Sequence, residues 1–100
     1  MPLLAVKIVA FVDECQPGVV ACEFTDADGN RHTIVDKVPI FSTEQLWSDS
    51  TYPVAGEADC YILKTWLDAT GRELAQIRIA QESLDGLCEF TVLASQIRQD

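Results

Sequence analysis

Asp26, Asp28 and Asn30 place oxygen-bearing side chains at alternate positions, which is how a calcium-binding loop begins. The rest of that pattern is missing. The required glycine stands at the fourth position of the loop, as Gly29, and Lys37 takes the place of the closing glutamate. The segment therefore predicts a hairpin turn, in which Asp26 accepts hydrogen bonds from the following backbone amides and Gly29 adopts a positive φ.

Four cysteines and a single histidine are the other metal-ligating side chains to consider. Zinc sites commonly use closely spaced cysteines, whereas the nearest pair here, Cys15 and Cys22, is seven residues apart, so we expect neither a metal nor a cofactor. Cys22, Cys60 and Cys88 each alternate with apolar residues, which predicts reduced thiols that face a core. Cys15 alone falls in a polar loop.

Nucleophilic catalysis would have to combine His32 with a thiol or with a hydroxyl such as Ser42, and no orienting carboxylate or oxyanion glycine accompanies them. His32 alternates with Ile34 and Asp36 in strand-like sequence, which predicts a solvated or hydrogen-bonded strand histidine. Neighbouring acids such as Asp13 and Glu14 are expected by chance in a chain with sixteen of them. The sequence therefore predicts no catalytic residue.

Large aromatic side chains are the remaining groups that could anchor a ligand or a partner. Trp47 lies between polar residues on an irregular segment, which leaves two interpretations open: an exposed contact residue, or a cap on one end of a barrel. Trp66 is expected in the core. The candidate binding residues are Asp13, His32, Asp36, Trp47 and Tyr52.

The charge of the chain narrows the classes of partner. Sixteen acidic and seven basic residues give a formal net charge of −9, spread along the whole length. The electrostatic field of so negative a protein repels nucleic acid and anionic membrane surfaces. If the charge does more than keep the protein soluble, it favours a basic protein or a cation as the partner.

Length and composition predict a single β domain over residues 1–100, since 48% of the chain is hydrophobic and one hundred residues suffice for one core. The first apolar segment is too short to span a bilayer and has no basic flank or cleavage site, so it is interpreted as a buried strand, apolar on both faces, of a cytoplasmic protein.

Alternating apolar residues and turn signals predict six strands. They are expected at 3–12, 19–25, 31–38, 59–68, 72–80 and 87–94. Asp-Ala-x-Gly turns at 26–29 and 68–71 should close two hairpins, one helical turn is expected after Ser42, residues 52–56 should form a loop, and residues 95–100 a polar tail. The fold class is thus all-β and mainly antiparallel: a small six-stranded barrel or sandwich with at most one short helical turn.

Several short segments are distributed along the chain as a set: Gln16-Pro17-Gly18, Asp26-Ala27-Asp28-Gly29, Lys37-Val38-Pro39, Tyr52-Pro53 with Gly56 and Cys60, and Glu82-Ser83 before Gly86. Together these segments resemble a group of small bacterial proteins without an assigned activity. The resemblance implies a bacterial cytosolic origin and loops that belong to the fold, and it carries no catalytic residue or cofactor across.

Two hypotheses for the function follow. The first is a non-catalytic acidic module that binds another protein, a basic one, as an immunity or regulatory protein would. The alternative is a small-molecule-binding or enzymatic β-barrel with a pocket between the Pro17-Gly18 turn and the segment of Trp47 and Tyr52. A homodimer through a self-pairing sheet edge is compatible with either.

Overall fold

The computed structural model describes residues 1–14 and 17–99 and shows a mainly antiparallel β-sheet with little helix. Cys15, predicted to be a loop thiol, and Gln16 and Asp100 lie outside the described residues. The elements in chain order are β1 (Leu3–Asp13), β2 (Val19–Thr25), β3 (Arg31–Lys37), α1 (Val38–Phe41), β4 (Val54–Leu67), β5 (Glu73–Ile79), β6 (Glu89–Leu93), a 3-10 turn (Ala94–Gln96) and β7 (Ile97–Arg98).

The main sheet has the strand order β3-β2-β1-β4-β5-β6 and curls into a half-barrel. This confirms the predicted all-β class. Backbone hydrogen bonds from Ala27 N–H to the Thr91 carbonyl and from Leu84 N–H to the Thr33 carbonyl join the two edges of the sheet. These two bonds form the seam of the half-barrel, and they occupy part of the edge that a self-pairing dimer would use.

The longest strand, β4, is shared by the two halves of the sheet. Its first half pairs with β1 and its second half with β5, and a bulge interrupts the second pairing between Ile62 and Lys64. The predicted loop at 52–56 and the predicted strand start at 59 are therefore wrong. Ala55 and Gly56 carry little strand propensity of their own, and the pairing with β1 places them in the sheet.

Strand β1 buries one face rather than two. Leu4, Val6 and Ile8 are buried in the core, whereas Ala5 and Lys7 are exposed on the outer face of the sheet. The prediction of a strand covered on both sides is thus wrong, because the helical turn and loops leave part of the outer face of β1 open. The other buried core residues are Val20, Cys22, Phe24, Ile34, Val38, Phe41, Leu46, Ala58, Cys60, Ala75, Ile77, Ile79, Phe90 and Val92.

The helical turn lies before Ser42 and not after it. Pro39 stands in the first turn of α1, where its fixed φ and missing N–H are tolerated, and Ser42 ends the helix in an extended conformation. The predicted helical turn that carries Leu46 and Trp47 is therefore wrong. At the other end, Ile97 and Arg98 pair with Leu4 and Leu3, so the predicted polar tail is in part a strand.

Both Asp-Ala-x-Gly turns form as predicted. Gly29 and Gly71 each have a φ of 86°. In each turn the Oδ1 atom of the leading aspartate accepts two backbone N–H bonds, Asp26 from Asp28 and Asn30, and Asp68 from Thr70 and Arg72. The turns fix the register of the hairpins β2–β3 and β4–β5.

Candidate functional site

The segment between α1 and β4 holds an exposed tryptophan on a fixed backbone. Trp47 N–H donates to Ser50 Oγ at 2.9 Å, and the Trp47 carbonyl accepts from Ser50 N–H at 3.1 Å and from the Tyr52 hydroxyl at 2.7 Å. Trp47 is nevertheless 54% exposed. Because the backbone of Trp47 is already fixed, a partner that covers its ring does not have to order this part of the chain.

Beside this ring lies a cleft of about 490 Å³, called here the Trp47 cleft. Val38 and Leu46 are buried and give it an apolar floor, and Trp47 forms one wall. Its lining residues are Pro17, Gly18, Val38, Pro39, Ser42, Thr43, Glu44, Gln45, Leu46 and Trp47. The cleft therefore combines an apolar interior with hydroxyl, carboxylate and amide groups.

Two of the five predicted binding residues meet at this place, since the Tyr52 hydroxyl supports the Trp47 carbonyl. Asp13 lies exposed at the end of β1, opposite Val19. Asp36 is half-buried on β3 and accepts a hydrogen bond from the Lys37 N–H at 2.8 Å. Neither carboxylate lines the Trp47 cleft.

His32, the fifth predicted residue, faces the core. It is 7% exposed, and its ring lies 5.4 Å from that of Phe24 and 4.7 Å from that of Phe90. Its Nε2 lies 2.7 Å from Asp26 Oδ2, which assigns Nε2 as the donor to the carboxylate. Within the described residues, Nδ1 is buried without a hydrogen-bond partner. A substrate could reach this imidazole only if the half-barrel opened.

Both carboxylate oxygens of Asp26 accept hydrogen bonds within the fold, Oδ1 from the turn and Oδ2 from His32. Burial acts to raise the pKa of Asp26, but the hydrogen bonds from His32 and from the amides of Asn30 and Asp28 outweigh it and hold the pKa below its usual value. The carboxylate is thus ionised at neutral pH and serves as a structural acceptor.

The turn at 68–71 is built like the turn at 26–29, but its leading aspartate, Asp68, pairs with solvent-exposed groups. Asp68 Oδ2 accepts from Arg72 Nε at 2.7 Å, and Arg72 Nη1 reaches across to the Ala27 carbonyl at 3.2 Å. Hydrogen bonds from Thr70 and Arg72 hold the pKa of Asp68 well below its usual range. Arg72 thereby fastens the two hairpin turns to each other.

Positive charges are largely matched by carboxylates of the same chain. Arg31, Arg72, Arg78 and Arg98 lie against Glu23, Asp68, Glu89 and Glu57, at distances from 2.6 to 4.0 Å. The exposed acids outside these pairs include Glu14, Asp28, Glu44, Asp49, Asp59, Glu73, Glu82 and Asp85. The surface that a partner meets is therefore dominated by carboxylates whose charge is not neutralised locally.

Of the thiols that the structure describes, two are buried as predicted for core residues and the third is less buried than predicted. Cys22 and Cys60 are buried, and Cys88 is half-buried. Burial raises the pKa of the Cys22 thiol to about 12, and burial together with the charge of Asp59 raises that of Cys60. Neither of these two groups is poised as a nucleophile at neutral pH.

Glu44 is the residue of the Trp47 cleft that the sequence prediction overlooked. Its backbone N–H donates to Ser42 Oγ at 3.0 Å, and this local turn directs residues 42–47 around the cleft. The sequence Ser42-Thr43-Glu44 is compatible with this turn, but Ser42 could equally begin a helix as part of a capping box. The two possibilities are distinguished only by the helix that precedes Ser42 in the structure.

Comparison with family models, curated proteins and solved structures finds no match for this chain. The resemblance to small bacterial proteins therefore stays a prediction. Among residues 1–14 and 17–99, no group of three or more histidine, cysteine, aspartate or glutamate side chains is arranged to hold a metal ion. Over the same residues, no helix has the length and apolar character needed to cross a membrane.

Proposed function

We propose that this protein is a non-catalytic, acidic binding module of the cytoplasm, which docks a basic segment of a partner protein on the surface around Trp47. The observation that carries this proposal is the exposed Trp47 ring on a backbone fixed by three hydrogen bonds. Ordered aromatic residues that are exposed in the free protein are typical anchors of protein interfaces.

The charge supports a basic partner. With its arginines held by its own carboxylates, the chain presents an excess of negative charge that accelerates encounter with a basic surface and resists a second acidic copy. The burial of His32 supports a non-catalytic role, because the only imidazole of the chain is committed to Asp26.

The experiment is affinity capture on the immobilised protein from a lysate of the organism that encodes it, with elution by a salt gradient. Trp47→Ala keeps the backbone bonds of the segment and removes the ring, and Leu67→Ala removes another exposed apolar side chain at the far end of β4. We expect a basic protein that the native and Leu67→Ala columns retain and that the Trp47→Ala column loses.

Purified partner would then be titrated by calorimetry. Loss of an interface anchor should weaken binding by about tenfold or more, and added salt should weaken it further. Equal retention on the Trp47→Ala column, or a retained partner that is itself acidic, would contradict the proposal.

A second candidate function, binding of a small molecule, rests on a groove of about 700 Å³ on the outer face of β1 and β2. Lys7, Glu23 and Arg31 bring both charges to this groove, and Ala5 and Ala55 give it a flat apolar base. A zwitterionic or anionic metabolite would suit it. A thermal-shift screen with Lys7→Ala as the control variant tests this alternative, since a specific ligand should raise the Tm of the native protein only.

A further inference from the structure

The Trp47 cleft offers two kinds of contact within one site. The Trp47 ring and the buried Val38 and Leu46 provide an apolar surface, and residues 42–45 supply oxygen acceptors from two hydroxyls, a carboxylate and an amide. Among the described residues that line the cleft, Glu44 is the one charged residue. A group that is flat, weakly hydrated and rich in donors would satisfy both kinds of contact.

The chain already contains one contact of a cation with a tryptophan. Lys64 Nζ lies 5.1 Å from the centre of the Trp66 ring, within the range of a cation–π interaction. Over residues 1–14 and 17–99, the ring of Trp47 has no such neighbour, and no ion pair reaches Glu44. An aromatic face and a carboxylate therefore remain available among the residues that line one cleft.

We propose that the Trp47 cleft binds an arginine side chain of the partner, with the guanidinium stacked on Trp47 and hydrogen-bonded to Glu44. This inference rests on the proposed function and specifies what the docking surface recognises. Arginine fits better than lysine because its planar guanidinium stacks on aromatic rings and offers a rigid fork of donors to a carboxylate. A second copy of this chain is a poor occupant, since it also carries a net charge of −9.

An extended segment of the partner has a path that leads away from one side of the cleft. A second groove of about 590 Å³ shares Pro39, Ser42, Thr43 and Glu44 with the Trp47 cleft and continues past the exposed Ile40 towards Glu57. Glu44 thus lies where the two grooves meet. An arginine placed there leaves room for neighbouring residues of the segment to lie along the second groove.

The test uses the full protein and three capped pentapeptides with two glycines on each side of arginine, lysine or citrulline. Citrulline has nearly the shape of arginine without the charge. Binding is followed by NMR through the two indole N–H signals, assigned with Trp47→Phe and Trp66→Phe. We expect arginine to shift the Trp47 signal and leave that of Trp66 in place, and citrulline to bind about threefold more weakly or worse.

Glu44→Gln should weaken the arginine peptide by about threefold or more, because it removes the carboxylate and keeps the shape. Glu73→Gln makes the same change of charge at the start of β5, where Glu73 pairs with Leu67 at the far end of β4, and should have no effect. Equal binding of arginine and citrulline, an unchanged Glu44→Gln, or lysine binding as tightly as arginine would overturn the inference. A basic partner retained through Trp47 but insensitive to Glu44→Gln would leave the proposed function standing and remove this inference alone.

Discussion

Replacement of Gly18 by alanine tests the packing on which one wall of the Trp47 cleft depends. A Cβ atom added to Gly18 would lie 2.3 Å from Phe11 Cζ and 2.5 Å from Phe11 Cε2. Carbon atoms meet comfortably at about 3.5 to 4.0 Å, so the ring would have to retreat by roughly 1 Å or more. Phe11 packs against the core and pairs with Val20, which limits that retreat.

The expected cost follows from this overlap. Overpacking of this kind typically lowers the free energy of unfolding by about 1–3 kcal/mol. In a domain of this size each kcal/mol corresponds to about 4–8 °C, so the Tm of Gly18→Ala should fall by roughly 5–20 °C. Urea and thermal unfolding followed by circular dichroism would measure both quantities.

A double-mutant cycle with Phe11→Ala identifies the cause. With the ring removed, the same Gly18 substitution should cost less than about 0.5 kcal/mol. Gly71→Ala is the matched control, because Gly71 has a φ of 86° and a Cβ atom added there would meet nothing within 4 Å, so its cost of about 1 kcal/mol arises from the backbone. That cost should be the same with or without Phe11. A Gly18→Ala penalty that persists in the Phe11→Ala background would refute the steric explanation.

Three further predictions concern the turns and the thiols. Asp26→Ala should lower the free energy of unfolding by about 1–2 kcal/mol more than Asp68→Ala in urea melts, because it also deprives the buried His32 of its hydrogen bond; equal costs would contradict this. Since the pKa of folded Asp68 is lowered, its contribution is present above its unfolded pKa and is lost as the pH falls through the folded pKa. The difference in Tm between the native protein and Asp68→Asn should therefore be largest near neutral pH and vanish in strong acid, and a constant difference would argue against this linkage. Cys22 and Cys60 should resist a maleimide reagent at pH 8 until urea unfolds the protein, as read by peptide mass spectrometry; rapid labelling of native protein would show that they are accessible.

The parts of the fold that local chemistry decides were predictable from the sequence. The Asp-Ala-x-Gly turns need only an acceptor at the first position and a glycine that tolerates a positive φ, and both formed. The start of β4 was not predictable in this way. Its residues, Val54 to Ala58, become a strand because β1 offers a partner, and that information lies about fifty residues away in the chain.

The candidate site likewise contains features that depend on contacts the sequence does not reveal. Trp47 lies on a segment without periodicity, so the sequence left open whether its ring points in or out, and the bonds to Ser50 and Tyr52 decide the matter. His32 alternates with Ile34 and Asp36, a pattern that left open whether its side chain is solvated or hydrogen-bonded, and a polar side chain in the core requires a partner. That partner, Asp26, is visible only once the hairpin is folded.

The seam between Ala27 and Thr91 and between Thr33 and Leu84 has a consequence for the order of folding. The hairpins on either side of the seam consist of strands that are close together in sequence. The seam joins segments that are more than fifty residues apart, so its formation carries the larger loop-closure cost. We expect the seam to close last and to open first. Native-state hydrogen exchange would then show the amides of Ala27 and Leu84 exchanging through a local opening, while those at the centre of β1 exchange only when the whole domain unfolds.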